Sequence, residues 1–319
     1  MDHEYADRRF RDAASGLCES VRERLYRLPG EIRQTAQEIR LRSGAPLSVV
    51  CGKRIWFLGR DGYPQAVPGK GLYLCSGKEI EESVRILCEY SVHSHTEEIR
   101  KGYLTLRGGH RAGICGTAVI TENKILSLRQ ISSINLRVAR EVKGAADEIF
   151  LRAFEKEPSS ALIFGPPGSG KTTLLRDLVR QLSSGTFFAP LKVALIDERG
   201  EIGASCNGLP QNDIGPATDL LNGYPKGDGI SIALRTLSPD FIVCDEIGSL
   251  EESERLIEGL FGGASFICTA HAYGKEALFA RPQLRRLIEC GVFQWGIELA
   301  DAGSPGKIRH LHRFREGLG

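Results

Sequence analysis

Four short segments in the second half of the chain carry residues spaced for phosphate chemistry. The first, Gly165-Pro166-Pro167-Gly168-Ser169-Gly170-Lys171-Thr172, has the spacing of a phosphate-binding loop. Its glycines let backbone N–H groups curl around phosphate oxygens, and the helix that should follow presents its positive dipole end. Lys171 is expected to reach the β- and γ-phosphates of ATP, Thr172 to hold Mg²⁺, and Thr173 to extend the cradle. The second segment, Phe241-Ile-Val-Cys244-Asp245-Glu246, is an apolar run ending in two carboxylates. A buried strand would deliver them to the sheet edge where ligands bind in open α/β folds. Asp245 would support the magnesium shell and Glu246 would polarise the attacking water. The third, Val193 to Ile196 followed by Asp197-Glu198-Arg199-Gly200-Glu201, repeats the pattern. One of its carboxylates would act as general base or place the lytic water, the alternatives being loop capping or pairing with Arg199. Glu198 is carried forward as the catalytic member. The fourth, Thr269-Ala-His271, ends another apolar run, where His271 would sense the γ-phosphate or serve as a satisfied structural residue.

These segments need a scaffold that aligns strand ends. The second half alternates apolar runs with helical patterns: strands at 161–164, 193–196, 241–244 and 265–269, and helices at 171–182, 230–237 and 249–261. Such alternation predicts a mostly parallel sheet covered by helices on both faces. Ser249 and Glu252 have the spacing of a capping box. The first half reads as mixed α+β. A helical pattern spans Asp7 to Leu28, and Gly52 and Lys53 separate two apolar runs as a hairpin would. Ser76 with Glu79, and Ser94 with Glu97, mark two further helix starts. From Gly102 to Val138 the chain is rich in β-branched residues and glycine turns. The expected organisation is an N-terminal α+β domain at 1–143, a linker helix at 144–159, and a phosphate-loop ATPase domain at 160–319.

Composition narrows the setting. Lys plus Arg is 42 and Asp plus Glu is 40, so bulk charge offers no footprint for nucleic acid. Residues 1–150 carry 24 basic and 19 acidic side chains, and the remainder 18 and 21, an asymmetry compatible with head-to-tail assembly. Nine cysteines without a C-x-x-C spacing fit neither a zinc ribbon nor a disulfide framework. Met1 to Asp12 is charged and lacks the apolar region of a secretion signal. No apolar run reaches the ~20 residues of a membrane span. Glycine is 37 of 319 residues with no collagen period. Three glycines form the phosphate cradle, and seven lie between Gly200 and Gly229, which marks that loop as a candidate moving part.

The segments in combination resemble a known group. Arg235-Thr-Leu-Ser-Pro239-Asp240 before the acidic strand, the Asp-Glu-Arg-Gly-Glu box and Thr269-Ala-His271 are similar to motifs of the type II and type IV secretion ATPases. Within that superfamily the chain resembles the stage III sporulation protein AA family. The shared stretches include Glu38-Ile-Arg-Leu-Arg42, Gly108-Gly-His-Arg-Ala-Gly113, Ile134-Asn-Leu-Arg137-Val-Ala-Arg140, Leu209-Pro-Gln211 and Tyr224-Pro-Lys226. The resemblance implies a RecA-like ATPase domain and a hexameric ring. It also implies a cytoplasmic protein of the mother cell, held at the membrane by channel proteins that link that cell to the forespore. Arginines of the N-terminal domain, with Arg111, Arg137 and Arg140 as candidates, would approach the γ-phosphate or serve as structural ion pairs. Ala217 stands where the family pattern has arginine and Asn222 where it has aspartate, so both charges are missing from that loop, while Asp219 and Lys226 remain. Two other readings are an ATPase acting on nucleic acid and a nucleotide-binding scaffold with little turnover.

Overall fold

The computed structural model describes residues 3–121 and 124–314, without the side chains of His93, Ser94, Glu97, Lys124 and Phe261. The second capping box, Ser94 with Glu97, therefore lies outside the described side chains. The chain divides into two compact units, Met1–Arg140 and Glu141–Gly319.

The first unit begins with α1 (His3–Ser15), α2 (Glu19–Tyr26) and α3 (Gly30–Thr35). The single helix expected over Asp7–Leu28 is two helices. The Cys18 N–H at the break donates to Ser83 Oγ at 3.1 Å, a tertiary contact that the local pattern does not encode. Next come β1 (Glu38–Arg42), β2 (Ser48–Cys51), β3 (Arg54–Leu58), β4 (Pro64–Gln65), α4 (Gly77–Leu87) and α5 (Thr96–Arg100). They are followed by β5 (Tyr103–Thr105), β6 (Arg111–Thr121) and β7 (Lys124–Arg137). The strands form one antiparallel sheet in the order β4-β3-β2-β1-β7-β6-β5. Ser76 and Glu79 make the expected capping box at the start of α4. Ile80, Val84 and Leu87 of that helix bury against Ile39, Leu41, Ile114 and Leu136 of the sheet.

The second unit contains α6 (Asp147–Arg152), β8 (Ala161–Gly165), α7 (Lys171–Ser184), β9 (Val193–Asp197), β10 (Thr218–Asn222) and α8 (Lys226–Thr236). It continues with β11 (Phe241–Cys244), α9 (Leu250–Phe261), β12 (Ser265–His271), α10 (Gly274–Phe279), α11 (Pro282–Glu289), β13 (Trp295–Leu299) and β14 (Ile308–Arg313). The sheet order is β10-β9-β11-β12-β8-β13-β14, parallel except for the last pair. Alternate residues of the buried strands feed two cores, as a period of two requires. Leu162, Ile196, Ile242 and Phe266 pack with Ile230 of α8, Leu256 of α9 and Leu287 of α11. Ile163, Leu195, Val243 and Ile267 pack with Ile149 and Phe150 of α6 and Leu174 and Leu178 of α7. The architecture is therefore three-layered, with helices on both faces.

The segment expected as a linker helix differs from that expectation. Only Asp147–Arg152 is helical, and Phe150 and Phe154 are buried in the second unit's core, where their rings meet edge to face at 5.7 Å. The Ala146 N–H also donates to the buried Asp177 carboxylate at 2.9 Å. These contacts make the segment a structural part of the second unit. The glycine-rich stretch after β9 is likewise more ordered than a free loop, because β10 forms within it and pairs with β9. Among the described residues no helix is long and apolar enough to cross a membrane.

Candidate nucleotide site

The phosphate-loop segment lies where the strand register puts it, between the end of β8 and the start of α7. Gly168 and Gly170 have φ of +75° and +91°, left-handed values that a side chain makes costly. A Cβ on Gly170 would stand 2.5 Å from the Gly306 backbone nitrogen, so the position excludes any other residue twice over. Ser169 is buried, while Pro167 and Gly168 are exposed at the rim. Thr172 and Thr173, half-buried, occupy the first turn of α7. The first N–H groups of a helix lack intrahelical partners. Here they are aimed where an anion would sit.

Lys171 is 7% exposed, and its ammonium donates to the Gly165 carbonyl at 3.0 Å and the Pro166 carbonyl at 2.9 Å. It also contacts His271 Nδ1 at 3.0 Å. Burial pulls the Lys171 pKa down, while the Asp245 and Glu246 carboxylates oppose that shift. The pairing of β12 with β8 sets His271 opposite Gly165, which explains why a residue 100 positions away meets the lysine. The other imidazole nitrogen, Nε2, stands 3.5 Å from Glu246 Oε1. Since a lysine ammonium can only donate, Nδ1 accepts and the ring proton belongs on Nε2, facing Glu246.

One hydroxyl contacts both acidic residues after β11. Thr269 is fully buried; its Oγ1 donates to Asp245 Oδ1 at 2.5 Å and accepts the Glu246 N–H at 2.9 Å. That amide also reaches Asp245 Oδ1 at 3.0 Å. Glu246 itself has φ of +35°, an uncommon value for a residue with a Cβ, held by these bonds and by the Ile247 N–H on the Thr269 carbonyl. The far oxygen of Glu246 accepts from Arg199 Nη1 at 3.2 Å. Lys171, His271, Glu246 and Arg199 thus form one continuous polar chain, with Asp245 and Thr269 beside it.

The acidic box after β9 separates into three roles. Asp197 is 1% exposed and accepts the N–H groups of Glu201, Ile202 and Gly203 at 2.8–3.0 Å. Burial raises its pKa, with the Asp245 charge adding to the rise, while those three donors act in the opposite direction. It is the clasp of the glycine-rich loop. Arg176 reinforces it by donating to the Glu201 and Ile202 carbonyls, and Asn212 by donating to the Ile202 carbonyl. Glu198 pairs with the buried Lys226 at 3.1 Å and stands outside the chain built on Lys171. Arg199 is the box member that joins that chain.

Arg137 and Arg140 belong to the first unit. Arg137 is exposed, with a 3.6 Å contact to Glu38. Arg140 is half-buried; it donates to the Arg33 carbonyl at 3.2 Å, its Nε is buried without a partner, and burial lowers its pKa. Arg111 lies over the Tyr103 ring, 3.7 Å from its centroid. Thr269, Arg199 and Lys226 were not among the expected site residues. Each stood inside a quoted motif, but only strand pairing reveals whom it touches.

Comparison with known proteins bears on the family and the fold. The family described as "Sporulation stage III, protein AA" matches residues 11–317. Stage III sporulation protein AA of Bacillus subtilis (strain 168) is 34% identical over 305 residues, covering 94% of each chain. Among solved structures, the ATPase DotB of Legionella pneumophila superposes with a TM-score of 0.53 at 17% identity, covering 93% of this chain and 76% of that one. The pilus retraction motor PilT, solved with bound ADP, gives 0.55 at 17% identity, covering 84% and 75%. The two structural likenesses concern the fold, which is that of the secretion ATPases with a RecA-like domain. The family match runs over nearly the whole chain, from the first helix to beyond the last strand, and the chain belongs to the sporulation stage III, protein AA family.

Proposed function

We propose that this protein is a Mg²⁺-dependent ATPase that works as a motor of the secretion-ATPase type. The observation that carries the reading is the convergence of Lys171, Asp245, Glu246 and His271 at the mouth of a glycine cradle, from three neighbouring strands. The cradle suits a polyphosphate. Gly168 and Gly170 supply the left-handed backbone turns of the loop, and the ammonium of Lys171 rests on carbonyl oxygens that a phosphate can replace. The Thr172 hydroxyl and the Asp245 carboxylate, whose second oxygen is not used by Thr269 or Glu246, fit a hard cation that takes oxygen donors. Magnesium bound there would neutralise charge on the phosphate oxygens.

The chain's own residues divide the remaining work. Lys171 and the α7 N-terminus bind and orient the triphosphate. Glu246 accepts a hydrogen bond from the attacking water and turns its lone pair toward the terminal phosphorus. His271 reports the state of that end of the site, because it touches both Lys171 and Glu246. Arg137 and Arg140 are proposed as charge-stabilising arginines. By extension of the family resemblance, we propose a ring of six subunits that works in the mother-cell cytoplasm, docked to channel proteins at the membrane between mother cell and forespore.

A direct test compares wild type with Lys171→Ala and Glu246→Gln for ATP binding and phosphate release. Lys171→Ala should abolish binding, and Glu246→Gln should retain bound ATP without turning it over. Equal phosphate release by all three proteins would remove the catalytic assignment. Binding without release by wild type would identify a nucleotide-dependent scaffold.

A further inference from the structure

The turn between β13 and β14 presses directly on the phosphate cradle. The Gly306 N–H donates to the Ser169 carbonyl at 2.8 Å. A Cβ on Gly168 would meet Ala302 Cβ at 3.2 Å, and one on Gly170 would strike the Gly306 nitrogen. The turn is braced internally: Ala300 N–H bonds to the Lys307 carbonyl at 2.9 Å, Gly303 N–H to the Asp301 carboxylate at 2.9 Å, and Lys307 N–H to the Ser304 carbonyl at 3.2 Å. Ala302, Ser304 and Pro305 are nevertheless exposed. A rigid, small-residue ledge therefore stands beside the cradle.

The sheet order gives the ledge a direction. The strand carrying Asp245 and Glu246 is two places from β8 on one side, and the strand carrying His271 is next to β8 on that same side. β13 and β14 lie on the other. A triphosphate is a linear group. If its terminal phosphate faces Glu246 and His271, its α-phosphate and the nucleoside leave toward the opposite flank.

We propose that the Ala300–Lys307 turn is the nucleoside side of the nucleotide site, and that the planar base rests against Ala302, Ser304 and Pro305. The inference rests on the nucleotide reading above and deepens it by naming what recognises the part of the ligand that is not phosphate. A surface of small side chains, apolar at Ala302 and Pro305, suits an aromatic ring that loses hydration on contact. Bulk introduced at the ledge should therefore exclude the base and leave the phosphates alone.

The test pairs two ligands that share phosphates and differ in the nucleoside. Affinities for ATP and for inorganic tripolyphosphate are measured on wild type and on Ser304→Trp, and wild type is photolabelled with 8-azidoadenosine triphosphate and peptide-mapped. The expected result is a loss of ATP affinity in Ser304→Trp of about tenfold or more, with tripolyphosphate held within about twofold. Label should fall within the turn. Equal weakening of both ligands, or label in another segment, overturns the assignment. Wild type that binds neither ligand overturns the nucleotide reading itself, and this inference with it.

Discussion

Replacing Thr269 by valine is the most discriminating perturbation of the site. Valine keeps the branched shape but removes the one hydroxyl that contacts both carboxylate residues after β11. In wild type that oxygen donates to Asp245 at 2.5 Å and accepts from the Glu246 amide at 2.9 Å. The Glu246 N–H would keep Asp245 Oδ1 at 3.0 Å, so no buried donor is orphaned. The stability cost is then close to that of one hydrogen bond to a charged group, about 1.5–3 kcal/mol. The kinetic cost should be larger in its consequences. Glu246 holds an uncommon backbone conformation only because its neighbours over-determine it. A misplacement near 1 Å at a catalytic group can cost about a hundredfold in rate. Turnover should fall by about ten- to a hundredfold while ATP affinity stays near wild type, because Lys171 and the cradle do not touch Thr269. Thr269→Ser restores the hydroxyl and should recover most of the rate. Steady-state phosphate release, equilibrium binding of a fluorescent ATP analogue and urea denaturation separate the three quantities. Wild-type turnover in Thr269→Val, or failure of Thr269→Ser to recover it, would refute the positioning argument.

Other consequences can be checked independently. Gly170→Ala should abolish nucleotide binding in an equilibrium assay, since the new methyl would meet the Gly306 backbone at 2.5 Å in a left-handed conformation; retained binding would show that the cradle is more pliant than described. Asp197→Ala should lower stability by about 3 kcal/mol or more, because it leaves three N–H groups unpaired, two of them buried, and limited proteolysis should then cut between Gly200 and Asp213. His110 is 1% exposed; it accepts from Ala139 N–H at 3.0 Å and contacts Asp12 at 3.0 Å, and burial holds its pKa below the usual value of 6.5 despite the acid. A base with a depressed folded pKa stabilises the neutral form, so its contribution is present above pH of about 6.5 and is lost as pH falls toward the folded value. Urea midpoints of the intact chain should decline over that window and decline less in His110→Gln; identical slopes would contradict the assignment. Native thiol titration should modify the exposed Cys115 and Cys290, but not Cys244 or Cys268, which are buried and 3.4 Å apart; burial also raises the Cys268 pKa well above its ordinary value.

Local signals were readable wherever a local cause exists. The capping boxes at Ser76 and Ser249 depend on four consecutive residues, and both form. The buried strands 161–165, 193–197 and 241–244 are continuous apolar runs, which is how strands covered on both faces read. What escaped was determined at a distance. β10 is an edge strand in a stretch of glycine and polar residues, and it exists because Thr218–Asn222 can pair with Val193–Asp197. At the break between α1 and α2, the Cys18 N–H finds its partner in Ser83, some 65 positions away. The expected mobility of the loop after Gly200 rested on glycine content. The clasp made by Asp197, Arg176 and Asn212 depends on residues whose partners composition does not disclose.

The same distinction explains why the carboxylates of the box after β9 could not be ranked from spacing alone. Asp197, Glu198 and Glu201 sit within five positions, so any of them could be imagined beside a phosphate. Burial assigns the first to the backbone, where an ionised acid is tolerated only by collecting three donors. Lys226, itself buried, claims the second at 3.1 Å, with Glu252 at 3.9 Å as its other carboxylate. Glu246 differs in kind. Its partners are Arg199, which is largely exposed, and His271 at 3.5 Å, neither of which holds it as tightly as Asp197 or Lys226 is held. A carboxylate needed in a reaction must be able to exchange partners, and among these acids Glu246 has the partners that a water molecule and a phosphate can displace at least cost. Arg199 and Lys171 would be released by the same event to face the incoming negative charge. The groups that neutralise one another across this site are those that a phosphate would engage.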